Sequence, residues 1–216
     1  MTETIKSKKI YFAGALFTHK DLIGNALLAK SIEGASEGKY QVHLPQHVET
    51  PQDRAEAIRD EDLKAVLESD MALFNFDGTE LDSGTVVEFM LAKFLDLPSV
   101  ILRTDFREGG DQKDGDNWNL MCSFYPRTQA VKVNAMFWYQ ENLERIQKGD
   151  VSGAYEGLAL LIVAALDKVQ SEPTLLPSDP EKLKTIYEWV SNFAGPSFEK
   201  LVKNTVDLDA LINRRK

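Results

Sequence analysis

The run Asp82-Ser83-Gly84-Thr85-Val86-Val87-Glu88 sets two carboxylates around a polar, glycine-punctuated turn. It follows a nearly unbroken apolar strand predicted over residues 71–76. It opens a helix predicted over 85–95, with Val86, Val87, Phe89, Met90 and Phe94 at its apolar positions. In an open α/β sheet, ligands bind beyond the carboxyl ends of the strands. Glu88 is expected in the first turn of this helix, where the dipole favours an ionised carboxylate, the form a nucleophile needs. The same residues read equally as an ordinary cap, Asp82 or Ser83, followed by a solvated acid. Asp62 is a second acid of interest, in a helical stretch beside Asp60 and Glu61; its plainer alternative is a solvated acidic face. Tyr11 ends a β-rich run, Ile10-Tyr11-Phe12-Ala13-Gly14, and is either a hydrogen-bonding group at the site or a core tyrosine with a satisfied hydroxyl. Gly14 is a turn glycine or a place where a ligand approaches the backbone.

Other chemistries find less support. The chain has no GxGxxG, no phosphate-cradling P-loop and no HExxH. His19, His43 and His47 are too dispersed for a metal site, and no metal is expected. Cys122 is the single cysteine, so neither an internal disulfide nor a cysteine-cluster metal site exists; it reads as a small buried hydrophobe. Asn119-Leu120-Met121 follows the candidate lid; its plainer alternative is the start of a helix or strand, with Leu120 and Met121 in the core.

The elements that must position these residues alternate along the chain. Strands are predicted at 10–14, 41–45, 71–76, 99–103 and 130–134. Helices are predicted over 21–32, capped by Thr18 or Asp21, from Pro51-Gln52-Asp53 through 60–69, and over 85–95. This β-α-β alternation predicts a parallel sheet with right-handed crossovers. Residues 108–118 carry three glycines and five charges and are the candidate lid. An apolar helix starts at Asp150 or Ser152. Pro173, Pro177 and Pro180 mark a linker, Asp179-Pro180-Glu181 caps another helix, Gly195-Pro196 breaks it, and a last helix starts at about Phe198.

Composition sets the outer limits. The 216 residues include 43% hydrophobic and 27% charged residues, an ordinary globular balance that can bury a core without staples. The net charge of -9 argues against a nucleic-acid polymer, which needs a basic face. No apolar run approaches the roughly 18 residues of a membrane span, and Met1-Thr2-Glu3-Thr4-Ile5-Lys6 lacks the apolar core of a signal peptide. The expectation is a soluble, cytoplasmic protein whose partners are small molecules and copies of itself.

Taken in order, the segments Ile10-Tyr11-Phe12-Ala13-Gly14, Phe17-Thr18, Leu44-Pro45-Gln46, Asp62-Leu63, Leu81-Asp82-Ser83-Gly84-Thr85-Val86-Val87-Glu88 and Asn119-Leu120-Met121 resemble the nucleoside 2-deoxyribosyltransferases. The resemblance runs from Lys9 to about Val133. It implies a flavodoxin-like α/β fold over residues 1–149; beyond it, residues 150–216 are expected to form a helical C-terminal extension that packs on the domain or on a neighbouring subunit. It implies exchange of the nucleobase of a 2-deoxyribonucleoside through a covalent intermediate, without cofactor. By this resemblance Glu88 is the nucleophile, Asp82 and Asp62 are the acid-base positions, and Tyr11 orients Glu88. Gly14 and Phe17 fall among the substrate-binding positions, and Gln46 contacts the base. Asn119 and Met121 reach the sugar from a neighbouring subunit, which implies a homo-oligomer with shared sites.

There are departures. Residues 150–216 continue past the usual family length, so the chain end does not reach the site unless the extension folds back. Ser83 stands where an acid is common, and Phe89-Met90 where an aliphatic residue and glycine are common. Two rival functions stay in view. One is a 2-deoxynucleoside or deoxynucleotide N-glycoside hydrolase on the same scaffold; the nucleotide version needs donors for a 5-phosphate, and no phosphate loop is evident near Gly14 or Gly84. The other is a non-enzymatic sensor of nucleoside derivatives.

Overall fold

Five parallel strands form the centre of the molecule: β1 (Lys8–Ala13), β2 (Tyr40–His43), β3 (Met71–Asn75), β4 (Ser99–Arg103) and β5 (Thr128–Lys132). The structure is a computed structural model and describes residues 7–48, 55–110 and 115–215. The strand order is β2-β1-β3-β4-β5, all parallel, which is the flavodoxin-like order with its switch point between β1 and β3. The expected α/β architecture is therefore present.

Side-chain alternation along the strands divides the core in two. Ile10 and Phe12 of β1 face α1 (His19–Ala35) and α6 (Val151–Gln170), with Leu73, Leu102, Ile162 and Leu166 in the same cluster. Tyr11 and Ala13 face the opposite layer, α2 (Ala55–Glu68) and α3 (Ser83–Phe94), with Phe74, Phe76 and Phe89. Burying both faces explains why the strands read as near-continuous apolar runs. The second layer is extended by α7 (Pro180–Phe193), α8 (Pro196–Thr205) and α9 (Leu208–Arg215), whose Tyr187, Phe198 and Ile212 join the same core. Arg215 fastens the end of this extension: it donates to the Tyr187 hydroxyl and the Leu67 carbonyl, both at 2.5 Å, and to the Ser69 carbonyl.

Local signals set most boundaries. Thr18 and Asp21 form a reciprocal capping box at the start of α1. Asp150 and Asp179 cap α6 and α7 as expected. Three details differ from the sequence reading. The fifth strand begins at Thr128 rather than at 130, because it pairs with β4 from Ser99 onward. The expected last helix is two, α8 and α9, parted at Val206 in extended conformation. Residues 135–147, not read as helical, form α4 (Ala135–Glu141) and α5 (Leu143–Gln147), short helices without a single buried residue. A helix with no buried stripe leaves no periodic signal.

The helix opening at Pro51-Gln52-Asp53 and the N-terminal hexapeptide lie outside the described residues. So does part of the candidate lid, of which the two flanks are described. Gly110 has φ 92°, and a Cβ there would lie 2.4 Å from the Asp116 carbonyl oxygen, so only glycine fits. Trp118 is buried edge-on against Phe76 at 5.6 Å between ring centres. Among the described residues no helix is long and apolar enough to cross a membrane.

Candidate active site

The Tyr11 side chain, fully buried, reaches from the centre of β1 to α3. Its hydroxyl donates to Glu88 Oε1 at 2.6 Å, joining residues 77 positions apart. Fixing one carboxylate oxygen sets the direction of the other, which is the geometry of a held nucleophile. The hydroxyl of Tyr11 is thus satisfied, with an acid among its partners.

Asp82 builds the helix that carries Glu88. Its Oδ2 accepts from the Thr85 N–H at 2.7 Å and from the Thr85 hydroxyl at 2.9 Å, so the capping interpretation of Asp82 holds in structural terms. That cap starts α3 at Ser83, two residues before the predicted start. Glu88 is therefore not in the first turn, which holds no acid. The dipole effect fades within the first turn, whereas the Tyr11 hydroxyl holds Glu88 directly.

His43 completes this side of the site. It pairs in register with Tyr11 across β1 and β2, and the two rings stack at 6.0 Å and 26°. Burial, together with the positive charges of Lys9, His47 and Lys64, pushes the imidazole down to about 4. His43 and Asp62 both line a cleft of about 500 Å³ between β2 and α2. The solvated acidic face imagined around Asp62 is only partly right. Asp60 is buried and paired with Arg59 at 2.6 Å, Glu61 pairs with Lys64 at 2.5 Å, and Asp62 is half-buried. Helical periodicity turns Asp60 inward while its neighbours face the cleft.

The remaining sequence candidates make contacts of their own. Gly14 closes β1 where a Cβ would meet the Asn75 Cβ at 3.0 Å, so glycine there permits close approach to β3. Phe17 stands 74% exposed just before α1. Gln46 is held against α1: its amide donates to the Leu22 carbonyl at 2.8 Å and accepts from Asn25 at 3.5 Å. Asn119 caps a short 3-10 turn, Leu120–Cys122, by accepting from the Met121 N–H at 2.9 Å. Only Cys122 of that turn is buried. Leu120 and Met121 are exposed, Met121 by 68%, so the plainer alternative of a core position does not hold for them. Asn119 and Met121 instead line a second cleft of about 450 Å³ with the 78–86 segment and the buried Arg103.

Two polar residues escaped the sequence reading. His43 stands in the sequence only as one of three dispersed histidines, because its pairing with Tyr11 depends on register. Asp77 follows β3 closely. Its carboxylate accepts from the Thr104 N–H at 2.5 Å, the Asp105 N–H at 2.7 Å and the Thr104 hydroxyl at 2.6 Å, tying the carboxyl ends of β3 and β4 together. Its position immediately after an apolar strand was the available signal. Among the described residues no group of His, Cys, Asp and Glu could hold a metal ion.

The depressed His43 has a measurable consequence. Folded His43 titrates near 4 against an ordinary 6.5, so between these values the unfolded chain binds the extra proton. Stability is then fully present above about 6.5 and is lost as pH falls toward 4. In His43→Phe the ring stack remains and the titration is gone. Its melting temperature should decline less steeply than the parent's across that window; an identical slope in the two proteins would rule His43 out as the source.

The family model described as nucleoside 2-deoxyribosyltransferase matches residues 10–121. No curated protein matches the chain. Among solved structures, a conserved protein from Enterococcus faecalis V583 is 26% identical, with a TM-score of 0.51 over 66% of this chain and 99% of the other. A 2-deoxyribosyltransferase from Leishmania mexicana is 20% identical, with a TM-score of 0.46 over 63% of this chain and 97% of the other. One from the psychrotolerant Bacillus psychrosaccharolyticus is 19% identical, with a TM-score of 0.42 over 53% and 79%.

Proposed function

The chain belongs to the nucleoside 2-deoxyribosyltransferase family, and from that premise we propose that it exchanges the base of a 2-deoxyribonucleoside through a deoxyribosyl ester on Glu88. The observation that carries this proposal is the 2.6 Å hydrogen bond from the Tyr11 hydroxyl to Glu88 Oε1. A carboxylate held by one oxygen on a rigid strand–helix pair is suited to attack at a fixed carbon.

In the proposed reaction Glu88 attacks the anomeric carbon. The bond from that carbon to the base nitrogen breaks, and its electron pair leaves with the base. Asp82, with Asp62, supplies the proton that makes the base a neutral leaving group. Positive charge developing on the sugar is stabilised by the adjacent carboxylate. A second base then attacks the same carbon through nitrogen, the ester bond breaks, Glu88 recovers its charge, and the aspartate takes the proton from the incoming base. Two inversions give net retention. All groups in this scheme are side chains of the protein, and no cofactor takes part.

Binding is assigned in the same proposal. Gly14, Phe17 and Gln46 line the base side of the site. Asn119 and Met121 serve the sugar of a neighbouring copy, so the working form is a homo-oligomer with shared sites; their exposure fits that role. Residues 1–149 act as the transferase domain and 150–216 as a helical extension supporting it. The substrates are 2-deoxyribonucleosides and free nucleobases, used in the cytoplasm for salvage.

The test is chromatography of the purified protein with 2-deoxyinosine and adenine. Formation of 2-deoxyadenosine together with hypoxanthine is expected, with no reaction from inosine. Hypoxanthine released without a new nucleoside would replace transfer with hydrolysis. Absence of any product from either donor would remove the enzymatic proposal.

A further inference from the structure

Helices α3 and α7 present one connected apolar face. Val87 and Phe94 stand seven residues apart on α3, and Trp189 and Phe193 four apart on α7, so each pair lies on one side of its helix. The two stripes meet where Phe94 packs edge-on against Trp189, with 6.4 Å between ring centres. The rings stay open to solvent even so: Phe94 is 54%, Trp189 61% and Phe193 47% exposed. In a chain with 27% charged residues, this face is neutral. The exposed residues of α3, Ser83, Gly84, Val87 and Phe94, carry no charge, and the uncharged Thr185 and Asn192 flank Trp189 on its side of α7. Single exposed apolar residues are ordinary, whereas a contiguous aromatic patch marks a contact surface. The inner side of α7 is already occupied, with Leu183, Tyr187 and Val190 in the core.

We propose that this face docks a second copy of the chain, through the same face of that copy. Charge supports this occupant. Each copy carries a net charge of -9, so two copies approach most easily where neither presents a charge. Area supports it too. Three aromatic side chains of roughly 150–250 Å² each, about half open, offer on the order of 300 Å² of apolar surface. That is more than half of the about 500 Å² of apolar surface on one side of a standard homodimer interface. Position is the third support. The Tyr125 hydroxyl donates to Met90 Sδ of α3 at 3.5 Å, and Tyr125 shares a cleft with Phe94 and Leu175, so the face borders the segment of Asn119 and Met121. Those two residues serve a neighbouring copy in the shared-site reading above, and the choice of a second copy rests on that reading. A contact between identical faces closes on itself and forms a pair. The extension then has two working sides: its inner side completes the core through Tyr187, and its outer side supplies Trp189 and Phe193 to the partner.

The test is sedimentation of the full chain over a range of concentrations, with no substrate present. The parent should form a pair or a multiple of pairs. Trp189→Glu sets like charges against each other across the contact, so the dissociation constant should rise about a hundredfold or more. Trp189→Ala removes a central aromatic anchor and should raise it about tenfold or more. Should the glutamate variant fail to fold, the alanine variant carries the measurement. Leu160→Glu is the control, an exposed apolar position on α6 in the other layer, and should keep the parent's mass. A parent that stays monomeric at every concentration, Trp189 variants with the parent's mass, or equal disruption by Leu160→Glu overturns the face. The readout is mass, so it stands apart from turnover at Glu88. Base exchange by a strictly monomeric parent would remove this face and leave the transfer chemistry. Association that depends on Trp189, with no exchange by the parent, would sustain the face and remove only the transferase proposal.

Discussion

Glu88→Ala is expected to lose base exchange by on the order of 10⁴-fold or more, since removing a covalent nucleophile leaves only binding and positioning to act. The fold should persist. Glu88 is only half-buried, its neighbour Val87 is 53% exposed, and alanine is the best helix former. The variant should melt within a few degrees of the parent while product formation disappears from the chromatogram. Retained exchange in a folded variant would eliminate the ester mechanism. The same variant probes the shared site. Mixed with Asn119→Ala subunits, which keep Glu88 but lack the donated asparagine, it should recover part of the activity, because some sites in a mixed oligomer then hold both groups. Mixtures no more active than either variant alone would argue that each subunit acts by itself.

Phe89→Ala should produce the largest loss of stability. Phe89 is fully buried and packs edge-to-face with Phe74 at 5.1 Å, Phe76 at 5.6 Å and Tyr125 at 5.4 Å. Deleting such a ring removes its transfer free energy and leaves a cavity, a loss of about 3–5 kcal/mol. Domains have only about 5–15 kcal/mol in total, so the denaturant midpoint should fall steeply with little change in slope. A loss below about 1 kcal/mol would mean that the aromatic cluster does not anchor α3. The effect also bears on the site. Phe89 is the residue after Glu88, and its burial fixes the rotation of α3 that brings the carboxylate to Tyr11. In low denaturant, exchange activity in the folded fraction should drop as well.

The two predictions separate what short-range chemistry encodes from what packing adds. Strand alternation, the caps at Thr18, Asp82, Asp150 and Asp179, and the breaks at proline and glycine are local signals, acting over a few residues. They were enough for an all-parallel α/β sheet with a helical C-terminal region, and the ordered motifs were enough for the family. The ends of elements were less certain: α3 starts at Ser83 because Asp82 caps it, which moves Glu88 out of the first turn. Helices α4 and α5 left no trace in hydrophobic periodicity, having no buried face.

The site itself needed the third dimension. Tyr11 and Glu88 were each singled out, yet their hydrogen bond spans 77 positions and depends on how α3 docks on the sheet. His43 became part of the site through the β1–β2 register, which sets it against Tyr11 and lowers its proton affinity. Asp77, Trp138 and Tyr155, distant in the chain, meet around one cavity only because strand ends and helices pack there. Local propensity acts between neighbours in the chain, whereas register, docking and burial are set by the simultaneous packing of distant segments. That is why the elements and the family could be read from the residues, and why the partners of each functional side chain came from the fold.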